Sequence, residues 1–519
     1  MNNQKLLFVF FAGLLLSASI NCIGQSWQWA ISCGKGINDD YATIASDNSG
    51  NIYMTGSYNG LGIFGNDTLI SSGLGGPYLP VMFCKINPTG SFQWVKSIIG
   101  EQPSGAFASV AINKNFNNIY FYGQYSGDVT IGGYNLQSNT VQIFLTRYDP
   151  DGNCEWAIQA GGNGADYADK ACVDNMGNIF IAGIVYDTAS FDSIIVGPGN
   201  YLAKYNEHGK CQWARRIGNG SFSTRGITTN GSQVILVGKA TVNFPFYFDS
   251  FLLDPSESPL VVASFDTNGT GQWAKIEGKG LINGIINTVI DSNNNFYISG
   301  YGGNLIFGND TVINNSSSLQ LFLVKLNNLG NPIWARESSG YNNVNPTQLT
   351  LGINNNIYIT GYISFVGLVN ATTYFGNYFV TIADLPMKVD MLIVGYDDNG
   401  NCIGVNQAPT DYAQMQPSGG TSVAADLNGN CIVAGQFINS TNFGSDTLTS
   451  LGKRDIFVAK YGPFYDAGID ERTTNNQLVI YANPNDGKCS ILLPKEFMHE
   501  QNLTLSIYNS RENSFGKSH

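Results

Sequence analysis

The chain has few charged residues and very few histidines. Charged residues make up 12% of its 519 residues, about half of the usual share, and its histidines are His208, His499 and His519. A histidine-rich metal site is therefore excluded in practice, and a serine–histidine–aspartate triad in the body of the chain would have to use His208. The formal net charge of −12 also does not suit a phosphate backbone, because nucleic-acid binding relies on clustered lysine and arginine. We therefore expect no nucleic-acid partner.

Long hydrophobic runs are missing beyond the N-terminus. No later stretch approaches the roughly 20 apolar residues that a transmembrane helix needs. The N-terminus has one lysine, an apolar run from Leu6 to Leu16 and then small residues, a pattern typical of a secretory signal peptide. We expect residues 1–24 to be cleaved and the mature chain to be exported without a transmembrane segment. Lipidation at Cys22 is the less favoured alternative, because Asn21 stands where a small residue is expected.

Nine cysteines are present, but no two of them form a Cys-x-x-Cys pair. Apart from Cys22 they are scattered one to a predicted strand, so we interpret them as small buried hydrophobic residues rather than zinc ligands or a redox dithiol. Export would permit oxidation, and the pairings left open are Cys154 with Cys172 and Cys402 with Cys431. We expect no metal and no cofactor.

Glycine, by contrast, is abundant, with 61 residues, and a composition rich in turn-forming residues favours β-structure. Six of the seven tryptophans recur at intervals of 65, 62, 57, 60 and 61 residues, which indicates an internal repeat of about sixty residues. These structural repeat anchors are Trp29, Trp94, Trp156, Trp213, Trp273 and Trp334.

Each repeat contains the same short segments in the same order. Two of them are Gly50-Asn-Ile-Tyr-Met-Thr-Gly56 and Val81-Met-Phe-Cys-Lys-Ile-Asn87, and each has seven copies. Runs of β-branched and aromatic residues bounded by Gly, Asn or Asp predict strands joined by tight turns. Four strands per unit in seven units predict an all-β fold, a seven-bladed β-propeller over residues 25–463. The segment Phe64-Gly-Asn-Asp-Thr-Leu69 predicts an additional hairpin between the second and third strands.

The two ends of the repeat region complement each other. The seventh unit stops at Tyr461-Gly-Pro463 without a tryptophan strand, whereas Ser26-Trp-Gln-Trp-Ala30 resembles the tryptophan strand ending at Ala214. We therefore expect the N-terminal strand to complete the last blade and to close the propeller, which removes two free sheet edges. The sixth unit also lacks the tryptophan, although another strand follows it.

Between Trp27 and Pro463 the repeated segments resemble the bacterial seven-bladed β-propeller repeat family. The resemblance implies an exported protein with a binding or surface role more often than a catalytic one.

After a polar linker, residues 464–477, a new pattern begins. Residues 478–519, with Asn483-Pro-Asn-Asp-Gly487 as their most recognisable segment, are similar to the start of the C-terminal sorting domain of type IX secretion in Bacteroidetes-like bacteria. That resemblance implies a small β-sandwich-like tail, the type IX secretion machinery as a partner and a secreted or cell-surface location. The match covers about 33 residues, so the predicted domain is incomplete.

Ligands of propellers commonly enter where loops converge around the central channel. The loops that lead from each tryptophan strand to the next innermost strand are rich in carboxylates and aromatic rings, which suit a neutral sugar or a peptide. The structural alternative is that these aspartates cap turns. The predicted binding residues are Asp39, Asp40, Tyr41, Asp166, Tyr167, Asp169, Arg225, Asp411 and Tyr412.

These patterns together predict an exported, monomeric, non-enzymatic propeller for surface adhesion, glycan binding or protein binding. The alternative is a carbohydrate-active enzyme, a glycoside hydrolase or lyase, in which two channel-mouth carboxylates serve as acid and base. A surface scaffold without a small ligand is the third possibility.

Overall fold

The computed structural model describes most of the repeat region and four short strands of the tail. The described residues are 26–34, 39–70, 80–100, 108–113, 118–256, 258–312, 318–365, 371–382, 388–410, 419–451, 453–464, 479–482, 489–492, 505–508 and 514–518. The predicted signal peptide, Cys22 and all but the first residue of the predicted linker lie outside these ranges.

The repeat region consists of β-strands. Strand β1 is Ser26–Cys33. The first two units contain β2 (Asp40–Ser46), β3 (Ile52–Ser57), β4 (Leu61–Phe64), β5 (Asp67–Ile70), β6 (Val81–Ile86), β7 (Phe92–Ser97), β8 (Ile99–Gly100), β9 (Ala108–Asn113), β10 (Asn118–Tyr125), β11 (Val129–Ile131), β12 (Tyr134–Leu136), β13 (Gln142–Tyr148) and β14 (Cys154–Gly162). The next two contain β15 (Asp166–Val173), β16 (Ile179–Val185), β17 (Ala189–Phe191), β18 (Ile194–Val196), β19 (Gly199–Tyr205), β20 (Cys211–Arg216), β21 (Phe222–Thr229), β22 (Gln233–Ala240), β23 (Phe246–Phe248), β24 (Phe251–Leu253), β25 (Leu260–Asp266) and β26 (Gly271–Ile276).

The last three units follow the same plan. They contain β27 (Lys279–Ile290), β28 (Phe296–Phe307), β29 (Asp310–Val312), β30 (Gln320–Leu326), β31 (Pro332–Glu337), β32 (Ser339–Gly340), β33 (Asn343–Leu351), β34 (Ile357–Phe365), β35 (Ala371–Phe375), β36 (Tyr378–Ile382), β37 (Lys388–Tyr396), β38 (Cys402–Ala408), β39 (Gly419–Ala425), β40 (Cys431–Phe437), β41 (Ser440–Phe443), β42 (Asp446–Thr449) and β43 (Asp455–Gly462). A single 3-10 turn, Ile353–Asn355, is the only helical element within the described ranges.

Seven antiparallel arrangements of four strands, here called blades 1 to 7 in chain order, make up the fold. From the innermost to the outermost strand they are β2-β3-β6-β7, β9-β10-β13-β14, β15-β16-β19-β20, β21-β22-β25-β26, β27-β28-β30-β31, β33-β34-β37-β38 and β39-β40-β43-β1. The predicted all-β, seven-bladed propeller class is therefore confirmed.

Strand β1 lies in the last blade, as its sequence predicts. It pairs antiparallel with β43, and Trp29 lies opposite Lys460. The innermost strands of blades 7 and 1 also pack together, since the Thr421 hydroxyl donates a hydrogen bond to the Ala42 carbonyl at 2.6 Å. The first and last parts of the repeat region therefore share one sheet and one interface.

The repeated tryptophan joins each blade to the next. The Trp94 indole N–H donates to the Pro150 carbonyl at 3.0 Å, and the Lys85 ammonium donates to the same carbonyl at 2.9 Å. The ring covers Gly152, which has a φ of 85° and on which a Cβ would lie 2.7 Å from the indole. The periodic tryptophan and the periodic turn glycine are thus two halves of one interblade contact. The same contact joins Trp29 to Gly90, Trp156 to Gly209, Trp213 to Gly269, Trp273 to Gly330 and Trp334 to Gly400.

Blade 6 lacks the tryptophan, and a residue from beyond its own repeat makes the equivalent packing contact. Gly404 occupies the tryptophan position, and Gly395 lies opposite it on the neighbouring strand. The Phe464 ring fills this space, is 3% exposed and stacks on Tyr358 with a centroid distance of 5.3 Å. It also packs on Tyr461 at 4.9 Å. The propeller therefore extends to Phe464, one residue beyond the predicted boundary.

The additional hairpin explains why the repeat exceeds the length of a plain four-stranded blade. Strands β4 and β5 pair antiparallel, as predicted, and Phe64 at the turn is fully buried. The preceding blade reaches this hairpin through a bridge between Gly34 and Ile63. Equivalent pairings connect β8 with β11, β14 with β17 and β32 with β35. Each of these hairpins thus adds a second backbone contact between neighbouring blades.

The disulfide pairings left open by the sequence are not formed. The described cysteines, which include all four candidates, are free. Cys154 lies on an outermost strand and Cys172 on an innermost one; Cys402 lies on the outermost strand of blade 6 and Cys431 on the second strand of blade 7. The two cysteines of each candidate pair therefore lie in different blades and at different strand positions.

The tail contains two short hairpins. Strand β44 (Val479–Ala482) pairs with β45 (Cys489–Leu492), and β46 (Leu505–Tyr508) pairs with β47 (Ser514–Ser518). Over the described part of the chain, no helix is long and apolar enough to cross a membrane.

Candidate functional site

Charge on the innermost strands is concentrated in two neighbouring blades. Among the described side chains of these seven strands, the charged ones are Asp166, Asp169, Lys170, Arg225 and Lys279. Strands β15 and β21 pack side by side and contribute all of these except Lys279, which starts β27 and lies opposite Ile306 near the hairpin. The innermost surface of blades 3 and 4 is therefore electrostatically distinct from the rest of the channel wall.

A β-bulge places Asp169 and Arg225 at equivalent positions. The strand register shifts between Ala168 and Lys170 in β15 and between Thr224 and Gly226 in β21, and in both cases the charged residue is the extra one. A bulge re-aims side chains and disrupts the local ladder. Both Asp169 and Arg225 are exposed, so the bulges present their charges to the channel.

The last glycine of the repeated second-strand segment makes this bulge possible. A Cβ on Gly183 would lie 2.0 Å from the Tyr167 carbonyl oxygen, and one on Gly238 would lie 2.2 Å from the Ser223 carbonyl oxygen. Such distances are far inside van der Waals contact, so only glycine fits beneath the bulged strand. The repeated glycine, read in the sequence as a strand end, is therefore also a determinant of the site.

Three side chains, Asp169, Lys170 and Arg225, form what we call the channel cluster. Desolvation by the surrounding channel wall raises the pKa of Asp169 to about 6 even though its side chain is accessible to solvent, and the charges of Arg225 and Lys170 act in the opposite direction. Burial lowers the pKa of Lys170, while Asp169 raises it. None of the three side chains forms a hydrogen bond or a close ion pair with another described residue. The three charges thus interact electrostatically without a direct hydrogen bond. Their hydrogen-bonding groups are available to solvent or to a ligand.

Other blades use the bulge position to bind their neighbour. The Thr347 hydroxyl donates to the Gly420 carbonyl at 2.7 Å, and Thr421 donates to Ala42 in the same way. These neutral contacts join blades 6, 7 and 1. At the corresponding position of blades 3 and 4 a charged side chain replaces the threonine, which indicates a role other than interblade packing.

Two tyrosines stand beside the channel cluster. Tyr167 precedes Asp169 by two residues on β15, a distance of about 7 Å along a strand. Its ring meets Tyr186 edge-on, with centroids 6.0 Å apart, and Tyr186 is 63% exposed. The Tyr201 hydroxyl donates to the Tyr167 carbonyl at 3.2 Å and helps to fix this end of the strand. An accessible aromatic surface therefore adjoins the charges.

Two of the predicted binding residues lie in the protein interior. Asp39 and Asp166 are fully buried. Asp166 Oδ2 accepts a hydrogen bond from the Gly162 amide at 2.6 Å, and Asp39 Oδ1 accepts one from the Asn59 amide at 3.0 Å. Burial raises the pKa of Asp166 to about 6. These aspartates secure the entry to their innermost strands, which is the turn-capping alternative that the composition suggested.

The remaining predicted residues divide into two groups. Tyr167, Asp169 and Arg225 lie together in blades 3 and 4. Asp40 and Tyr41 belong to β2, but their side chains lie outside the described part, and so do Asp411 and Tyr412 altogether.

Lys170 was missed by the sequence analysis. A regular strand alternates its side chains between two faces, so adjacent residues such as Asp169 and Lys170 are not expected to serve one site. The bulge removes that restriction. In the sequence, the repeated glycine opposite the bulge, Gly183, was the feature that could have indicated this arrangement.

Another carboxyl group with a raised pKa lies away from the channel. Burial alone raises the pKa of Glu337 to about 7, and both of its carboxyl oxygens lack a hydrogen-bond partner. It lies on the outermost strand of blade 5, opposite Phe322. Its position excludes it from the channel wall, so it is not a partner for Asp169.

The fold and the site together define a seven-bladed β-propeller with a mixed-charge cluster on the channel wall of two adjacent blades. No protein-family model matches the chain. An uncharacterized WD repeat-containing protein of Acanthamoeba polyphaga mimivirus is 22% identical over 500 residues, covering 85% of this chain and 33% of its own length. The chain thus spans about a third of the length of the curated relative that it matches.

Several solved structures are distantly similar. Drosophila plexin A, solved in complex with semaphorin 1b, is 7% identical over 84% of this chain and 87% of its own, with a TM-score of 0.35. A gluconolactonase from Xanthomonas campestris is 8% identical over 66% and 93%, with a TM-score of 0.32. The intramolecular trans-sialidase from Ruminococcus gnavus is 9% identical over 82% and 94%, with a TM-score of 0.32. These similarities are too distant to assign a function, so the function of this chain must follow from its own residues.

Proposed function

We propose that this chain is an exported, non-enzymatic propeller that binds a glycan or a protein at its central channel. The observation that carries the proposal is the channel cluster. Asp169, Lys170 and Arg225 come from two adjacent blades and have no hydrogen-bonding partner among the described residues. They lie beside Tyr167 and the exposed ring of Tyr186. Charged groups next to an aromatic surface are the usual elements of a polar-ligand site.

Binding fits this arrangement better than glycosidic hydrolysis does. Hydrolysis by the common mechanism uses two carboxyl groups about 5 to 9.5 Å apart. Among the described side chains of the innermost strands, Asp169 is the one exposed carboxylate, because Asp166 is buried and bonded to the backbone. A single carboxylate beside two cations can orient a hydroxyl or an amine but does not supply both the acid and the base.

The second candidate is a carbohydrate-active enzyme. It is favoured by one observation, the pKa of Asp169 near 6, which suits a group that gives and takes a proton near neutral pH. Its second carboxylate would have to come from a residue such as Asp40.

Assays on a polysaccharide panel decide between the two candidates. We expect purified protein to retain one or more polysaccharides in affinity electrophoresis without releasing reducing ends, and Asp169→Asn to change the retention. A matched control is Asp151→Asn, an exposed aspartate in a turn. Release of reducing ends that disappears in Asp169→Asn would establish the enzyme instead. Absence of both retention and cleavage would exclude the tested glycans as ligands. It would leave a protein ligand or a surface scaffold without a small ligand.

Export and sorting form a further part of the proposal. The N-terminal pattern supports a cleaved signal peptide. The segment Asn483–Gly487, which lies in sequence between the paired strands β44 and β45, and the second hairpin of β46 and β47 support a type IX sorting tail in a Bacteroidetes-like bacterium. Surface fractionation of cells that produce the chain with and without residues 478–519 tests this part. Equal amounts at the surface for both forms would contradict a sorting role for the tail.

A further inference from the structure

We propose that the channel cluster selects an acidic glycan, with a uronic-acid carboxylate held by Arg225 and Lys170 and a neighbouring hydroxyl held by Asp169. This inference rests on the proposed function and narrows its ligand class. It also departs from the neutral sugar or peptide that the sequence favoured, because the structure adds Lys170 to the site.

The charge of the cluster is opposite to that of the protein. The whole chain carries a formal charge of −12, so an anionic ligand meets repulsion at long range. The channel cluster combines two cations with one carboxylate and is therefore a local positive site within a negative molecule. Unpaired cations on an inner wall add nothing to the packing of the blades, whereas an anionic ligand gains a counter-charge from them.

Several basic residues elsewhere in the blades bond to the protein itself. Arg147 pairs with Glu155 at 2.7 Å, and Lys460 pairs with Asp426 at 2.9 Å. Lys85 donates to a turn carbonyl of the next blade. Arg225 and Lys170 have no such partner among the described residues, although they lie on innermost strands. Their donors are therefore available to a ligand.

The two cations have complementary chemistry. The guanidinium of Arg225 is a planar fork that matches the two oxygens of a carboxylate, whereas the ammonium of Lys170 acts as a point charge. They approach from adjacent blades, so one carboxylate can interact with both. Asp169 precedes Lys170 at the bulge of β15 and accepts hydrogen bonds, which suits a sugar hydroxyl next to the carboxylate.

The aromatic pair defines the direction in which a chain of sugars extends. Tyr167 lies two strand residues from Asp169, roughly 7 Å, and its ring contacts that of Tyr186, so the aromatic pair adjoins the unit bound by the cluster. A ring that stacks on an exposed tyrosine there would be the neighbour of the unit bound by the cluster. The site therefore fits an oligosaccharide with at least two units better than a free acid.

Asp169 makes the affinity pH-dependent. The described groups whose charges act on it are Lys170, Arg225, Tyr122 and Tyr201, and burial raises the pKa of both tyrosines, so they stay neutral. With a pKa of about 6, Asp169 is ionised at pH 8 and protonated at pH 5. Protonation of Asp169 therefore makes the cluster more positive by one charge on acidification, while a uronate remains ionised. Acidic oligosaccharides should therefore bind more tightly at pH 5 than at pH 8.

The test uses the propeller with defined probes in titration calorimetry. The probes are hexamers of galacturonate and of mannuronate and the fully methyl-esterified galacturonate hexamer, which keeps the sugar and loses the charge. We expect a uronate hexamer to bind, its affinity to fall about tenfold or more in Arg225→Gln and in Lys170→Gln, and the ester to bind weakly in all forms. The matched control is Arg216→Gln on the outermost strand of blade 3, which should bind like the unchanged protein.

The possible outcomes separate this inference from the proposed function. An ester that binds as tightly as the acid, or uronate binding that is unchanged in Arg225→Gln, would overturn the acidic ligand and leave a binding propeller. Failure of both uronate hexamers to bind also overturns it, while the wider polysaccharide panel tests the proposed function separately. Melting temperatures within about 2 °C of the unchanged protein show that each variant is folded.

Discussion

Deletion of residues 26–30 should abolish cooperative folding of the repeat region. These residues supply the outermost strand of blade 7, and without them the edge of β43 loses its partner. Trp27 packs on Phe443 with a centroid distance of 4.8 Å and on Tyr461 at 5.0 Å. Loss of a large buried aromatic side chain costs about 3 to 5 kcal/mol, so removing the half-buried Trp27 and Trp29 together with most of their strand is expected to cost an amount comparable to the whole stability of an ordinary domain, about 5 to 15 kcal/mol.

Thermal unfolding and limited proteolysis measure this effect. The shortened chain should lack a sharp unfolding transition and should be digested throughout the repeats rather than at its ends. The matched control is a chain that ends at Phe464, which removes a longer segment but keeps every blade. Unaltered protease resistance after deletion of residues 26–30 would contradict the structural role of the N-terminal strand.

Replacing Phe464 by alanine should destabilise the propeller by about 3 to 5 kcal/mol. The ring is almost completely buried between Tyr358 and Tyr461, and it fills the space that Gly395 and Gly404 leave open. In other blades a tryptophan provides this contact. The loss should therefore be comparable to that caused by Trp156→Ala in blade 2.

Denaturant unfolding of three variants checks this prediction. Leu427→Ala, at a side chain that is 58% exposed, is the control for removal of an apolar group and should change stability by less than about 0.5 kcal/mol. A chain that ends at Gly462 should be as unstable as Phe464→Ala, whereas one that ends at Phe464 should be as stable as the full repeat region. A loss below about 1 kcal/mol for Phe464→Ala would show that blade 6 does not depend on this ring.

Much of the fold could be predicted from local patterns because a propeller repeats a local unit. The strand segments, the hairpin at Phe64 and the pairing of Trp29 with the seventh blade all follow from residues that recur at fixed offsets. The substitute for the missing tryptophan could not be predicted in this way. Phe464 lies after the last repeat and packs on blade 6, and no pattern within a repeat connects it to Gly404.

The site was less predictable than the fold. The predicted loop position drew attention to Tyr167, Asp169 and Arg225, which the structure places on strands β15 and β21. It grouped them with Asp39 and Asp166, which are buried and bonded to the backbone. An aspartate before a strand can cap the strand or face the channel, and its sequence neighbours are similar in both cases. The outcome depends on which backbone amides lie nearby, and these come from other segments.

The sequence by itself determined the all-β class, the number of blades and the place of the N-terminal strand, because tryptophan, glycine and β-branched residues at regular spacing act through short-range strand pairing. Only the tertiary structure decided which charges share the channel wall. A bulge of one residue turns Asp169 and Lys170 out of strict alternation, and the packing of β15 against β21 brings Arg225 to them. The bulge arises from strand pairing within blade 3, whereas the approach of Arg225 depends on the packing of two neighbouring blades, which the one-dimensional repeat does not encode.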